Sequence, residues 1–484
     1  MADFEELVEK AHGLGIKVLL DYVPNHASSE SKYFVNSQAR VQGYENYFVW
    51  ADPIIENGER KVPSNWISQF GGSIWEWSEE RQQYYLHQFA KEQVDFNFRE
   101  PAVREEMLNI MKFWFGKGAD GFRLDALPHL LEADPKDYGG QYPDEPLSGN
   151  MFLNPNQAGY TTQEFIKDQV ELYNVLYEWR EFADKWKEDN GGDTKILLAE
   201  AYTNITMTML YYGDERGRRG AHFPFNFDFV ISLSAESNAR DFVYVIKRWL
   251  TYMPPGQVAN WVFGNHDRKR MASRFRPNMV DGLNSLNMML PGVAITYQGE
   301  EIGMRDGYIS WNDTVDVQAC NQANESNYLD YSRDPARTPF QWDSSSNAGF
   351  TTGSKTWLPI AEDYQTINLQ SQTDAPQSNF KVYQTLTQLR KEPALSHGNH
   401  LIKALTENTL VVVRHLPTHD TYALLFNVAT TNDTVDVSKV EFLAEPLKVH
   451  ISSVHSGRKA GDTLTFGQLT LQPGEALVLR APPA

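Results

Sequence analysis

Three acids in this chain close short apolar runs. Asp125 follows Gly121-Phe-Arg-Leu, Glu200 follows Ile196-Leu-Leu-Ala, and Asp267 follows Trp261-Val-Phe-Gly-Asn-His. Apolar runs of this length read as buried strands. In a parallel barrel the reactive groups sit at strand C-termini, where the loops leave the sheet. One such acid is ordinarily the N-cap of the next helix. Three of them, two with a basic or imidazole neighbour (Arg123, His266), fit a different use. An ionised carboxylate can attack an anomeric carbon while a second, protonated carboxyl hands its proton to the leaving oxygen, and together they cleave a glycosidic bond with retention. Arg123 supplies the positive charge that an attacking carboxylate needs. An apolar, like-charged setting raises the carboxyl that serves as acid.

These acids need elements to hold them. Residues 3–13 carry Phe4, Leu7, Val8 and Ala11 at helical spacing, and Gly13 and Gly15 end the pattern. The β-branched run Ile16 to Val23 follows. The same alternation recurs with a helix around 102–117 before Gly121-Phe-Arg-Leu-Asp125 and a helix around 163–188 before Ile196-Leu-Leu-Ala-Glu200. Further strands are expected at 222–230, 261–264 and 293–297. Helix alternating with short buried strand predicts a parallel sheet with right-handed crossovers. The strands number six, where a closed barrel has eight.

Residues 27–101 interrupt this order with Pro-, Gly-, Trp- and Tyr-rich sequence too long for an ordinary connection, which predicts an inserted subdomain. A second insertion, 303–379, is rich in Asn, Asp, Ser and Thr. From about Leu401 apolar and polar residues alternate in short runs, which reads as an antiparallel β domain. The expected organisation is a catalytic barrel over 1–400 and a β-sandwich over 401–484.

Composition narrows the partners. A net charge of −19 with no basic stripe makes a polyanion such as nucleic acid an unfavourable ligand. Aromatic residues make up 13% of the chain and suit stacking against sugar rings, although a large core also holds many. The single cysteine, Cys320, excludes an intrachain disulfide. No apolar run approaches the roughly 20 residues of a membrane span. Asn-x-Ser/Thr sequons at Asn204, Asn312, Asn324 and Asn432 are compatible with an extracellular glycoprotein.

The motifs carry a resemblance. Asp21-Tyr-Val-Pro-Asn-His26, Gly121-Phe-Arg-Leu-Asp125, Leu197-Leu-Ala-Glu200 and Gly264-Asn-His-Asp267 are similar, in order, to the four signature regions of the α-amylase family, glycoside hydrolase family 13. Gln93-Val-Asp-Phe-Asn97, Gly299-Glu-Glu-Ile-Gly303 and Arg333-Asp-Pro-Ala-Arg-Thr-Pro-Phe-Gln-Trp342 resemble segments of its α-glucosidase branch. Phe122-Arg-Leu-Asp-Ala-Leu-Pro-His129 and Leu198-Ala-Glu-Ala-Tyr202 look most like the maltases of insects. The resemblance implies a TIM (β/α)8 barrel and a maltase- or sucrase-like α-glucosidase acting on maltose, sucrose or short α-glucans. By position, Asp125 is the nucleophile, Glu200 the general acid/base and Asp267 the stabiliser of the transition state. Asp21, His26, Arg123, His266 and Arg337 line the glucose subsite, and Phe70, Phe89 and Gln93 close over it, Phe70 and Phe89 having an alternative as plain core residues. Ala126 stands where a larger branched residue accompanies α-1,6 preference in relatives.

The same resemblance implies a barrel lacking its first two strands, because Met1-Ala-Asp-Phe-Glu-Glu-Leu is similar to an internal segment of relatives. A family calcium site would lie in that preceding segment, so no cofactor and no metal are assigned, and impaired turnover is expected. Two alternatives remain open: a non-catalytic binding or receptor protein on the same scaffold, and a transglycosylase or sucrose isomerase using the same acids.

Overall fold

The computed structural model describes residues 1–483. They form two compact units: Met1–Phe225 with Pro254–Gln257 and Val317–Tyr331, and Asn226–Met253 with Val258–Asp316 and Ser332–Ala484.

In the first unit, four parallel strands form one sheet in the order Leu19–Tyr22, Gly121–Leu124, Ile196–Ala199, Phe223–Pro224. The register sets Asp21 opposite Arg123 and Arg123 opposite Leu198. Side chains alternate faces along a strand. One face therefore carries Leu20, Tyr22, Phe122, Leu124, Leu197 and Ala199, and these join the core with helices Pro101–Gly116 and Leu172–Asn190. The first of these helices starts with Pro at its first turn, and its buried Val103, Met107, Met111 and Phe115 recur at intervals of four. The other face carries Asp21 and Arg123 and, two residues beyond Arg123 and Leu198, Asp125 and Glu200. Gly121 permits this close pairing: a β-carbon there would lie 2.0 Å from the Ile196 carbonyl oxygen.

Two sequence expectations are corrected. The helix expected over 163–188 begins only at Leu172. Gln163 and Asp168 have φ of +64° and +59°, a left-handed backbone that no α-helix accommodates. The strand expected over 222–230 is only Phe223–Pro224. Pro224 has no N–H to extend a ladder, and the Asn226 carboxamide accepts from the Asp228 N–H at 3.1 Å as the chain enters helix Asp228–Ser232, whose N-cap is Phe227.

Residues 27–101 hold the helix Lys32–Gln38, capped by Ser31, and short antiparallel strands, among them His26–Ser28 paired with Gln93–Asp95 and a three-stranded sheet of Trp50–Ala51, Trp75–Ser78 and Gln83–Leu86.

In the second unit, strands Asn260–Val262 and Val293–Ile295 pair in parallel. Helix Ala239–Tyr252 opens with a capping box between Asn238 and Asp241. Residues 303–379, of which 317–331 belong to the first unit, run mostly as turns and short 3-10 helices. An antiparallel sheet follows in the order Asn399–Ala404, Thr409–His415, Thr421–Asn427, Ala476–Ala481, Leu447–Ser452, Thr463–Leu464. Its inward Val411, Val413, Leu425, Leu477 and Leu479 pack with Val435 and Leu469 of a second, two-stranded sheet.

Candidate active site

The register just described collects the acids of the first unit on one guanidinium. Arg123 Nη1 lies 2.8 Å from Asp21 Oδ1 and also binds Asp125 Oδ1. Its Nη2 lies 2.8 Å from Glu200 Oε2. Burial disfavours the Arg123 cation, but Glu200, Asp125 and Asp21 outweigh it and hold the cation above its usual range. The backbone continues the ladder past the strands: the Asp125 N–H donates to Tyr22 O and the Glu200 N–H to Leu124 O, both at 2.9 Å. Ala126 then turns into the left-handed region, φ 49° and ψ 33°. This turn aims its N–H at Glu200 Oε2, 3.0 Å away. A non-glycine residue held there is strained, and such strain persists where surrounding contacts enforce it. The capping role of these acids fails: the caps of the elements that follow are Ala126 and Asn204.

The inserted segment contributes His26, Gln93, Phe89 and Phe70. The Ala90 N–H donates to Gln93 Oε1 at 3.1 Å, which leaves Gln93 Nε2 to donate to His26 Nε2 at 2.9 Å. His26 thus accepts through Nε2 as a neutral imidazole. Burial lowers its pKa, and the charge of Asp125 opposes that only in part. Phe89 packs on His26 with ring centroids 5.4 Å apart and on Phe70 at 5.6 Å. Phe70 is buried and Phe89 half-buried.

A supporting network escaped the sequence reading. His129 meets Phe89 at 5.3 Å and shares two hydrogen bonds with Gln88: Nδ1 with Oε1 at 2.9 Å, and its carbonyl with Nε2 at 2.6 Å. Burial, with Lys167 and His26 adding to it, depresses His129 to about 3. The Gln88 N–H donates to buried Asp95 Oδ1 at 3.0 Å. Burial pushes the Asp95 carboxyl well above the carboxylate range. The only trace of this network in sequence is polar residues inside an apolar stretch.

In the second unit, Asp267 is gripped by two guanidinia. Arg337 Nη2 lies 2.8 Å and Arg333 Nη1 3.2 Å from Asp267 Oδ1, and His266 Nε2 lies 3.5 Å from Oδ2. Arg337 Nε also donates to the His266 carbonyl at 2.8 Å. Arg333, missed in the sequence reading although it opens the segment containing Arg337, is anchored by buried Asp316: Nη2 to Oδ1 at 2.6 Å, Nε to Oδ2 at 3.0 Å. Burial disfavours the Arg333 cation, while Asp316 and Asp267 outweigh it and hold its pKa above the usual value. Buried Glu300 accepts from the Tyr297 N–H at 3.1 Å and presses its other oxygen against Gly264, where a β-carbon would sit 2.4 Å from it. Burial raises Glu300 to about 8.

The four sequon asparagines are exposed, and Asn204 also caps helix Ile205–Leu210. Among the described residues no group of three or more His, Cys, Asp or Glu could hold a metal ion, and no helix is long and apolar enough to cross a membrane.

Carboxylates at the ends of parallel strands, each set neutralised by guanidinia, are the equipment of a glycoside-cleaving enzyme of the α/β-barrel class. Residues 1–398 match the catalytic domain of the α-amylase family. The chain is 45% identical over 485 residues to Maltase A1 of Drosophila melanogaster, covering 99% of this chain and 84% of that protein. It is 43% identical over 483 residues to a salivary α-glucosidase of Anopheles gambiae, covering 99% and 80%. Among solved structures, an α-glucosyl transfer enzyme superposes with a TM-score of 0.83 at 27% identity, covering 99% of this chain and 86% of that one. The chain belongs to the α-amylase family of glycoside hydrolases.

Proposed function

We propose that the protein is a retaining α-glucosidase that releases terminal α-linked glucose from maltose, sucrose and short α-glucans. The observation that carries this reading is the Arg123 guanidinium shared by Asp21, Asp125 and Glu200 on one sheet face. Two carboxylates on the two terminal nitrogens of one guanidinium suit the short separation of a retaining pair better than the wider gap that admits a water between them.

In this mechanism an Asp125 oxygen attacks the anomeric carbon as the glycosidic bond breaks, and Glu200 protonates the leaving oxygen. Glu200 Oε2 already accepts from the Ala126 N–H and Arg123, so the transferable proton belongs on Oε1. Glu200 then removes a proton from water, which attacks the glycosyl ester and releases α-glucose. Asp267 stabilises the oxocarbenium-like transition state. Asp21, His26, His266 and Arg337 bind the glucose hydroxyls, while Phe70, Phe89 and Gln93 close over the ring. The small Ala126 leaves room for α-1,4-linked and sucrose-type substrates.

The maltase and α-glucosidase names of the relatives support hydrolysis, and the salivary relative and four exposed sequons support an extracellular protein. Likeness to an α-glucosyl transfer enzyme favours a second reading, in which a sugar hydroxyl replaces water in the second step. Proton NMR of maltose turnover tests both. Hydrolysis with retention yields α-glucose first and β-glucose only by mutarotation; transfer yields longer sugars with little glucose. First-formed β-glucose refutes the retaining mechanism, and no turnover of any α-glucoside moves the binding-only alternative ahead.

A further inference from the structure

Trp357 is 71% exposed, in a chain whose other large aromatics mostly lie in cores. It lines an open groove of about 540 Å³ together with Asp313, Asn347, Ser354, Lys355 and Tyr364. That volume is in the range of small-molecule sites. None of these residues belongs to either carboxylate cluster.

The groove wall is held in place. Asn347 and Ala348 have φ of +55° and +52°. Ala348 is fully buried, and its carbonyl accepts from the Trp342 N–H at 2.9 Å. Asn347 Nδ2 donates to the Gly353 carbonyl at 2.8 Å, which ties the loop onto itself. Consecutive strained residues persist only where contacts enforce them, and they cluster at binding sites. Asp313 is fixed by the Ser310 hydroxyl at 2.6 Å. Among the described residues the Lys355 ammonium and the Tyr364 hydroxyl make no ion pair or side-chain hydrogen bond, so both remain available to a ligand.

The chemistry of the lining selects a ligand. The electron-rich face of an exposed indole accepts the C–H face of a pyranose ring. A carboxylate, an ammonium, an amide and hydroxyls around it match the donors and acceptors of sugar hydroxyls. A lipid or an apolar peptide would leave those groups unpaired.

We propose that this groove is a second sugar site that holds one hexopyranose ring against Trp357. Two sources supply such a ring: a free α-glucan, or the first sugar of a glycan on Asn312. Asn312 is exposed and immediately precedes Asp313 in the groove wall. The choice of a sugar rests on the α-glucosidase reading.

The test titrates maltotriose by calorimetry into the full chain made in a glycosylating host, and into the same chain with Asn312→Gln. Both carry Asp125→Asn to prevent turnover. The expected result is a binding phase that Trp357→Ala weakens at least tenfold and that Lys355→Ala with Tyr364→Phe weakens at least threefold. In the turnover-competent background, Trp357→Ala should leave kcat/KM on an aryl α-glucoside within twofold, which also shows that the variant folds. A phase present in both chains assigns the groove to free sugar. A phase seen only with Asn312→Gln assigns it to the attached glycan. Absence of any Trp357-dependent phase in both chains overturns the proposal. An inactive parent on the aryl glucoside would instead count against the α-glucosidase reading.

Discussion

Glu300 offers a quantitative test of how the loop bearing Asp267 is held. Glu300 is 4% exposed and its pKa is raised by burial, with Glu301 adding to the rise and Arg274 and Arg270 opposing it. One oxygen accepts from Tyr297, and the other touches Gly264 with no hydrogen-bond partner among the described residues. The folded pKa lies above the unfolded one, so the stabilisation is complete below about 4.5 and is lost as pH rises towards about 8. At about 1.4 kcal/mol per pH unit, ionisation removes about 2.5 kcal/mol between pH 5.5 and 7.5. Glu300→Gln reproduces the protonated shape without the titration. Its stability advantage over the parent should be about 1.4 kcal/mol at pH 5.5 and about 3.9 kcal/mol at pH 7.5, a rise of about 2.5 kcal/mol. For a chain of this size, near 1 kcal/mol per kelvin of unfolding entropy, that is roughly 2–3 °C in Tm. Paired melts at the two pH values read it. A Glu300→Gln protein less stable than the parent at pH 7.5 would instead show Glu300 ionised and paired with Arg270 or Arg274.

Arg123→Lys keeps the charge but not two terminal nitrogens, so it cannot hold Asp125 and Glu200 together; kcat/KM on an aryl α-glucoside should fall at least about 100-fold. An unchanged rate would remove Arg123 from the site. Arg333→Leu strands the buried Asp316 carboxylate and should cost about 3–5 kcal/mol, roughly 3–5 °C in Tm, with loss of activity through Asp267; unaltered melting would contradict this. Ala126→Val places a branched side chain beside Asp125, the proposed nucleophile, and should raise the ratio of isomaltose to maltose hydrolysis at least tenfold, whereas an unchanged ratio would detach this position from linkage preference.

Much of the candidate site was legible because it is local. Asp125 and Glu200 stand at the ends of apolar runs, and a period of two puts Arg123 and Asp125 on one face whatever the rest of the chain does. What stayed hidden was non-local. Arg333 finds Asp316 across irregular sequence with no periodicity to read, and Glu300 meets Gly264 only after two strands pair. The helix expected at 163 starts at 172 because Gln163 and Asp168 take left-handed backbones, which neither residue type announces. The strand expected through 230 stops at Pro224, a residue whose missing N–H could have been weighed at the outset. His129, Gln88 and Asp95 form a buried polar chain behind Phe89, and burial of polar residues cannot be inferred from their type.

Asp125 is the proposed nucleophile of a glycosyl-enzyme. The measurement that tests it most directly is mass spectrometry of the protein after incubation with 5-fluoro-α-glucosyl fluoride, a sugar that forms the ester readily and hydrolyses slowly. The expected result is one fluoroglucosyl adduct on the peptide containing Asp125, absent from Asp125→Asn. An adduct on another carboxylate, or none from an enzyme that still turns over maltose, would contradict it.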